Sequence, residues 1–140
     1  MKERYIFDAC FNEYTAQSLF NTYVHKNIHN CVSVGQTFTL FLYGQTGSGK
    51  TYLIFGKKEP KIDGILDLCL KFLYSGTLEV FKVEFKLNVQ QYYDGKVLNM
   101  LNNTDDLKIP TLDAALKNIN NALKKRISGV TSGNDKSSRS

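Results

Sequence analysis

No uninterrupted apolar run in the 140 residues approaches the length that spans a bilayer. The opening Met-Lys-Glu-Arg-Tyr also lacks the apolar core of a secretory signal. The expectation is a chain that neither crosses a membrane nor carries an export signal. Cysteine is sparse: Cys10, Cys31 and Cys69 are odd in number, widely spaced and form no C-x-x-C pair. That excludes a disulfide framework or a zinc ribbon, and predicts reduced core thiols in a cytosolic protein. His25 and His29 lie one helical turn apart, but no third ligand is evident, so they read as a solvent-facing pair rather than a metal site. There is no internal repeat and no linker. A hydrophobic content of 42% with 22% charged residues excludes a disordered chain, and the length suits one domain with a real core.

What is present centres on Thr37 to Gly56. Phe38, Leu40, Phe41 and Leu42 form an apolar run of the kind a buried parallel strand carries. Gly44, Gly49, Lys50 and Thr51 follow in the G-x-x-x-x-G-K-[ST] spacing of a phosphate-binding loop. The spacing has a chemical reason. Glycines let the loop wrap tightly, so successive backbone N–H groups point at phosphate oxygens. Lys50 is placed to reach the β- and γ-phosphates as a point charge, and the Thr51 hydroxyl to sit on Mg²⁺. A helix starting at Lys50 would add the favourable end of its dipole.

On either side, hydrophobic periodicity outlines the elements. Tyr5-Ile6-Phe7-Asp8 reads as a short strand. Ala16, Leu19, Phe20, Tyr23, Val24, Ile28, Cys31 and Val32 form the stripe of an amphipathic helix that stops near Gly35. Lys57-Lys58-Glu59-Pro60-Lys61 is a polar turn. Asp63 is placed to cap a helix over Ile65–Tyr74, apolar on nearly every side and therefore buried, ended by Gly76. Phe81, Val83, Phe85, Leu87 and Val89 alternate with Lys82, Glu84, Lys86 and Asn88, predicting a half-buried strand. Tyr92 to Leu98 looks like a turn entering a short strand or helix. Thr111 is positioned to cap a helix with Leu112, Ala115, Leu116, Ile119, Ala122, Leu123 and Ile127 inward. Asp113 near its start and Lys124, Lys125 and Arg126 near its end suit the dipole, and Gly129 is expected to end it. Val130 to Ser140 has the composition of a disordered tail. Strands alternating with helices around a phosphate loop predict an α/β fold with a largely parallel sheet.

The longer string Phe-Leu-Tyr-Gly-Gln-Thr-Gly-Ser-Gly-Lys-Thr-Tyr, Phe41 to Tyr52, resembles the phosphate-loop signature of kinesin motor domains. Three further stretches are similar to that family, in its order. Tyr5-Ile6-Phe7-Asp8 with Phe11 resembles its Y-x-F-D-x-V-F strand. Val83-Glu84-Phe85, continuing through Tyr92 to Leu101, loosely resembles its E-I-Y-N-E-x-I-Y-D-L-L region. Asn134 to Ser140 matches N-x-x-S-S-R-S, the family's first switch, which recasts the tail as functional. The resemblance implies a phosphate-loop NTPase-type three-layer sandwich with a mainly parallel sheet, binding ATP and Mg²⁺. By that resemblance Gly44, Gln45, Thr46, Gly47, Ser48, Gly49, Lys50 and Thr51 hold the phosphates, and Tyr52 packs on adenine. Ser137 and Ser138 sense γ-phosphate and Mg²⁺, with Ser138 joining Thr51 at the metal. Arg139 pairs with a glutamate of the second switch.

The departures from the family matter as much. Its R-x-R-P strand is absent before Met1, the segment between Leu101 and Thr111 is short, and the chain reaches Ser140 before the D-L-A-G-S-E second switch. The expectation is a partial motor domain over residues 1–140, a microtubule motor ATPase by resemblance, in the cytoplasm on the cytoskeleton. Taken alone it is expected to be inactive or nearly so, with one sheet edge unpaired. Tubulin is the implied partner, with no membrane or nucleic acid. The net charge of +5 resides from Lys117 onward, in Lys117, Lys124, Lys125, Arg126, Lys136 and Arg139 against Asp135 alone. It reads either as a patch for an acidic partner or as a solvated helix end. Two alternatives remain: a catalytically dead kinesin-like remnant that only binds, and another phosphate-loop NTPase. The latter lacks support, since neither N-K-x-D nor D-x-x-G is found.

Overall fold

The computed structural model describes residues 4–10, 15–76, 81–101 and 106–126, and the backbone alone over 128–131 and 134–138. The first helix begins at Thr15, whose hydroxyl accepts from the Ser18 amide at 3.2 Å while the Ser18 hydroxyl accepts from the Thr15 amide at 3.1 Å. This reciprocal pair satisfies two amides that have no partner within the helix. Helix α1 (Ala16–Leu19) passes through a π-helical stretch, Phe20–Val24, into α2 (His25–Val34). The widening has a reason in the sequence. Ala16, Phe20, Val24 and Ile28 recur every four residues, more than the 3.6 of an α-helical turn. The i→i+5 bonding of a π turn lets Phe20 and Val24 both face inward. Gly35, at φ 71°, ends α2 in the left-handed conformation.

Helix α3 (Lys50–Phe55) follows the glycine-rich loop, and α4 (Ile65–Leu73) follows a tight connection bridged between Lys57 and Ile62. Gly64, not Asp63, precedes the first turn of α4. Its amide donates to Asp67 Oδ2 at 3.1 Å, and Asp63 is free of that task because it pairs with Lys71. As its composition predicts, α4 is buried on two sides. Ile65 and Leu68 join Phe20 and Val24 in one core that also takes Phe38, Leu53 and Ile54. Leu70 joins Ile109, Ala115 and Ile119 in a second.

Helix α5 (Leu112–Lys125) is capped by Thr111, whose hydroxyl accepts from the Ala114 amide at 3.2 Å. The inward residues are those the periodicity picks out, with Ile127 outside the described residues. The helix stops at Lys125, where Arg126 turns extended, so Gly129 is not its terminator. Gly129 lies instead in a strand over Ser128–Thr131.

The sheet departs from expectation. Among the described residues there is no parallel ladder, only three two-stranded antiparallel pairs. The alternating segment 81–89 forms a ladder only over β1 (Lys86–Leu87), against β4 (Leu107–Lys108). Tyr92 to Leu98 is the body of a hairpin, β2 (Gln90–Tyr93) with β3 (Lys96–Asn99). Asp94 and Gly95 at φ 50° and 72° supply the two positive angles that its two-residue turn needs. The tail also forms a hairpin, β5 (Ser128–Thr131) with β6 (Asn134–Ser138), where composition suggests disorder.

Residues 5–8 and the apolar run from Phe38 to Leu42 both read as strands in the sequence, on either side of the first helix. Neither belongs to any strand, and Phe11 is outside the described residues. A parallel sheet is stable when layers cover both of its faces. Here Phe38 packs inward, but Phe41 is 80% exposed and Tyr43 92%. One face is covered and the other is bare.

Gly64 is buried where α3 and α4 meet. A Cβ there would lie 2.3 Å from the carbonyl oxygen of Ile54 and 2.4 Å from the Gly56 nitrogen, both backbone atoms with little freedom to move. Gly64→Ala is therefore expected to destabilise the chain by about 2 kcal/mol, the scale of overpacking. Gly35→Ala meets nothing within 4 Å and should cost only the left-handed backbone penalty of about 1 kcal/mol. Urea unfolding of both variants checks the order.

Candidate functional site

The loop from Gly44 to Gly49 is exposed and turns twice before α3. Gly47 and Gly49 adopt φ 86° and 85°, the left-handed region that side chains resist. Gly49 is the residue directly before α3, and its carbonyl accepts the Leu53 amide at 2.8 Å, closing the first helical turn. Leu53 and Ile54 on α3 anchor the loop to the first core, and Phe38 anchors its lead-in from the other side.

Lys50 folds back over the loop it follows. Its Nζ donates to the Gly44 carbonyl at 2.6 Å and the Gln45 carbonyl at 2.7 Å, and lies 3.5 Å from Ser48 Oγ. The Ser48 amide donates to the Gln45 carbonyl at 3.2 Å, which draws the turn closed. The ammonium thus sits at the mouth of a glycine-lined turn, held by acceptors that an incoming anion would replace.

Thr51 and Tyr52, on the first turn of α3, are exposed, with Tyr52 at 52%. Tyr52 is therefore not a core aromatic. Thr46 lies in the turn, its side chain in solvent. The structure thus brings Gly44 to Tyr52 into one contiguous feature. Ser137 and Ser138 lie in β6, opposite Gly129 and Ser128 of β5. Arg139 lies outside the described residues.

Other candidates resolve more simply. The His25 ring packs edge-on against Phe72 at 4.4 Å and Phe20 at 5.8 Å, and His29 lies against Phe81 at 6.3 Å. Among the described residues no three His, Cys, Asp or Glu side chains group as a metal site. No described helix is long and apolar enough to cross a membrane. A groove of about 610 Å³ runs between Leu73 and Tyr74 of the α4 end and Phe85 and Ile109, with none of its lining drawn from residues 44–52. Glu84 on its rim pairs with Lys108 at 2.8 Å, which holds that carboxyl below its usual range. Sequence reading missed the close approach of Gly56 and Gly64. Its only signal is two glycines flanking the polar turn.

The chain matches the family model described as the kinesin motor domain over residues 1–111. It is 33% identical over 106 residues to a kinesin heavy chain of Syncephalastrum racemosum, covering 72% of this chain and 11% of that protein. It is 34% identical over 163 aligned positions to kinesin-related protein 13 of Dictyostelium discoideum, covering 98% of this chain and 13% of that one. Against the kinesin-like protein Klp61F of Drosophila melanogaster the identity is 25% over 128 residues, 84% of this chain and 12% of the relative. The chain belongs to the kinesin motor-domain family. It spans about an eighth of the length of these relatives. The Dictyostelium alignment is longer than the chain itself, so that relative carries inserted residues that are lacking here.

The thiols divide by environment. All three are free, but Cys10 is exposed, so it is not the core thiol expected from composition. Burial pushes the Cys69 thiol up to about 11, which keeps it protonated and unreactive at neutral pH. Because the folded state holds that proton more tightly, Cys69 makes stability fall as pH rises from about 9 to about 11. Alkylation of the native chain at pH 8 should modify Cys10 first and Cys69 last, with Cys69 catching up in denaturant. Mass spectrometry of the labelled peptides reads the order.

Proposed function

We propose that residues 1–140 are part of a kinesin-type motor domain and that Gly44 to Thr51 form its nucleotide site, binding Mg·ATP. The observation that carries this reading is Lys50, whose ammonium is gathered over the turn by the Gly44 and Gln45 carbonyls. Such a charge, poised on exchangeable acceptors, suits a ligand that presents several anionic oxygens. The residues fit the group: three glycines allow close backbone approach, the loop is open, and Thr51 offers an exposed hydroxyl beside Lys50.

Under this reading Lys50 holds the outer phosphates and the amides of residues 46–51 line the inner ones. Thr51 holds Mg²⁺, with Ser138 as the second hydroxyl by resemblance. Tyr52 offers its ring to adenine. Mg·ATP, when bound, supplies the bond whose hydrolysis the family couples to movement along microtubules. Ser137, Ser138 and Arg139 are proposed to sense the γ-phosphate and position water. Tubulin as partner and a cytoplasmic, cytoskeletal setting follow from the same reading.

A second reading is favoured by one observation. The backbone of Ser137 and Ser138 is committed to a ladder with Gly129 and Ser128, which restrains residues that a sensing switch needs free to move. A kinesin-like remnant that binds nucleotide or a partner without turnover would have this character.

Two measurements separate the outcomes. A fluorescent ATP analogue should bind the chain, and Lys50→Ala should weaken binding about 10- to 100-fold, as loss of a charge-assisted contact implies. Equal binding by a folded Lys50→Ala variant would refute the site. Turnover should stay below about 1 s⁻¹, the low end of ordinary enzymes, even with microtubules added, because orientation of the attacking water rests on more than one switch. Faster microtubule-stimulated turnover would instead show a complete catalytic set and remove the remnant reading.

A further inference from the structure

We propose that the groove at the end of α4 is a second ligand site, shaped for a small apolar molecule carrying one carboxylate. Its opening has a cause in the backbone. The Ile109 amide donates to the Phe85 carbonyl at 3.0 Å, one step beyond the β1–β4 ladder. Among the described residues the return bond is not made, because the Tyr74 hydroxyl takes the Ile109 carbonyl instead. Pro110, the next residue, has no amide with which to resume pairing. The two chains therefore part. Leu73, Val83, Phe85 and Pro110 wall a space of about 610 Å³, with buried Ile109 in its lining. That is the volume of a small-molecule site, and apolar walls are what such sites carry.

The rim selects the charge. Lys82, Glu84 and Lys108 line it, and Glu84 pairs with Lys108 at 2.8 Å, so one positive charge is left over. It belongs to Lys82, which makes no ion pair among the described residues. Lys82 is also strained. Among the described residues only two other than glycine have positive φ: Asp94 is in its hairpin turn, whereas Lys82, at φ 49°, is in none. A side chain held on a left-handed backbone is characteristic of ligand clamps. A polyphosphate is a poor match. One excess charge cannot balance several, and Leu73 and Tyr74 form the C-terminal end of α4, where the helix dipole repels anions. A single carboxylate meets Lys82 at the rim while its apolar body fills the groove between Leu73 and Phe85. No residue of 44–52 lines the groove, so its occupancy is independent of the phosphate loop.

The test is a titration of the isotope-labelled 140-residue chain with phenylbutyrate, read by amide NMR shifts. Saturable shifts in the millimolar range, the scale for so small a ligand, are expected at Val83, Phe85 and Ile109. The neutral analogue phenylbutanol should bind more weakly. Lys82→Gln should weaken phenylbutyrate about fivefold, the scale of an exposed ion pair, and leave phenylbutanol unchanged. Lys82→Gly, which relieves the left-handed backbone, is the second variant should Lys82→Gln lose its helical circular dichroism. Equal affinity for acid and alcohol would mean apolar stickiness alone and overturn the proposal. So would shifts confined to residues 44–52, unaltered affinity in both Lys82 variants, or no shift at all. An acidic, phenylalanine-containing peptide that binds the groove about tenfold tighter than phenylbutyrate would overturn it too, marking a peptide-docking surface instead.

Discussion

The arrangement depends on one contact without side chains: the backbone of Gly64 against the Ile54 carbonyl and the Gly56 amide. At that distance no Cβ can intervene, so the end of α3 and the start of α4 are joined as closely as two backbones allow. Everything functional is then referred to α4. The helix is buried on two faces, so the core that holds the phosphate loop and the core that holds α5 share one element. The loop needs only Leu53, Ile54 and Phe38 to take its position from that element, which leaves its own residues free for chemistry.

Helices were legible in the sequence because their signals are local. Thr15 and Thr111 cap through hydroxyls to amides three residues away, and the stripe on α5 names its buried face residue by residue. The Asp63 assignment failed for an equally local reason. Two acidic residues stood near one helix start, and Asp67, reaching back from inside the first turn, took the amide while Lys71 drew Asp63 away.

The sheet was legible in period but not in pairing. Phe85, Leu87 and Val89 are half-buried as their alternation requires, but Phe81 and Val83 at the start of the run are exposed, and only Lys86–Leu87 acquires a ladder. Alternation reports which face meets the core. It carries no information on whether a neighbouring strand is present, and a parallel ladder needs partners far away in sequence. The phosphate loop was legible for the opposite reason, since all of its chemistry lies within Gly44 to Thr51. The latch of Lys50 on its own carbonyls was not, because motif spacing describes a lysine with its ligand and not what the ammonium does otherwise.

The π turn at Phe20–Val24 makes the first helix a phase-setting joint. It amounts to one residue more than an α-helix would use over the same span. Removing that residue would let the hydrogen bonds revert to α spacing and rotate everything after it by roughly 100°. His25 would leave the ring of Phe72, and Ile28 would swing away from the core it shares with α4. A length change of one residue, invisible in composition and silent in charge, would thus reorient ten residues of α2 and, through Ile28, reach the core on which the phosphate loop is anchored.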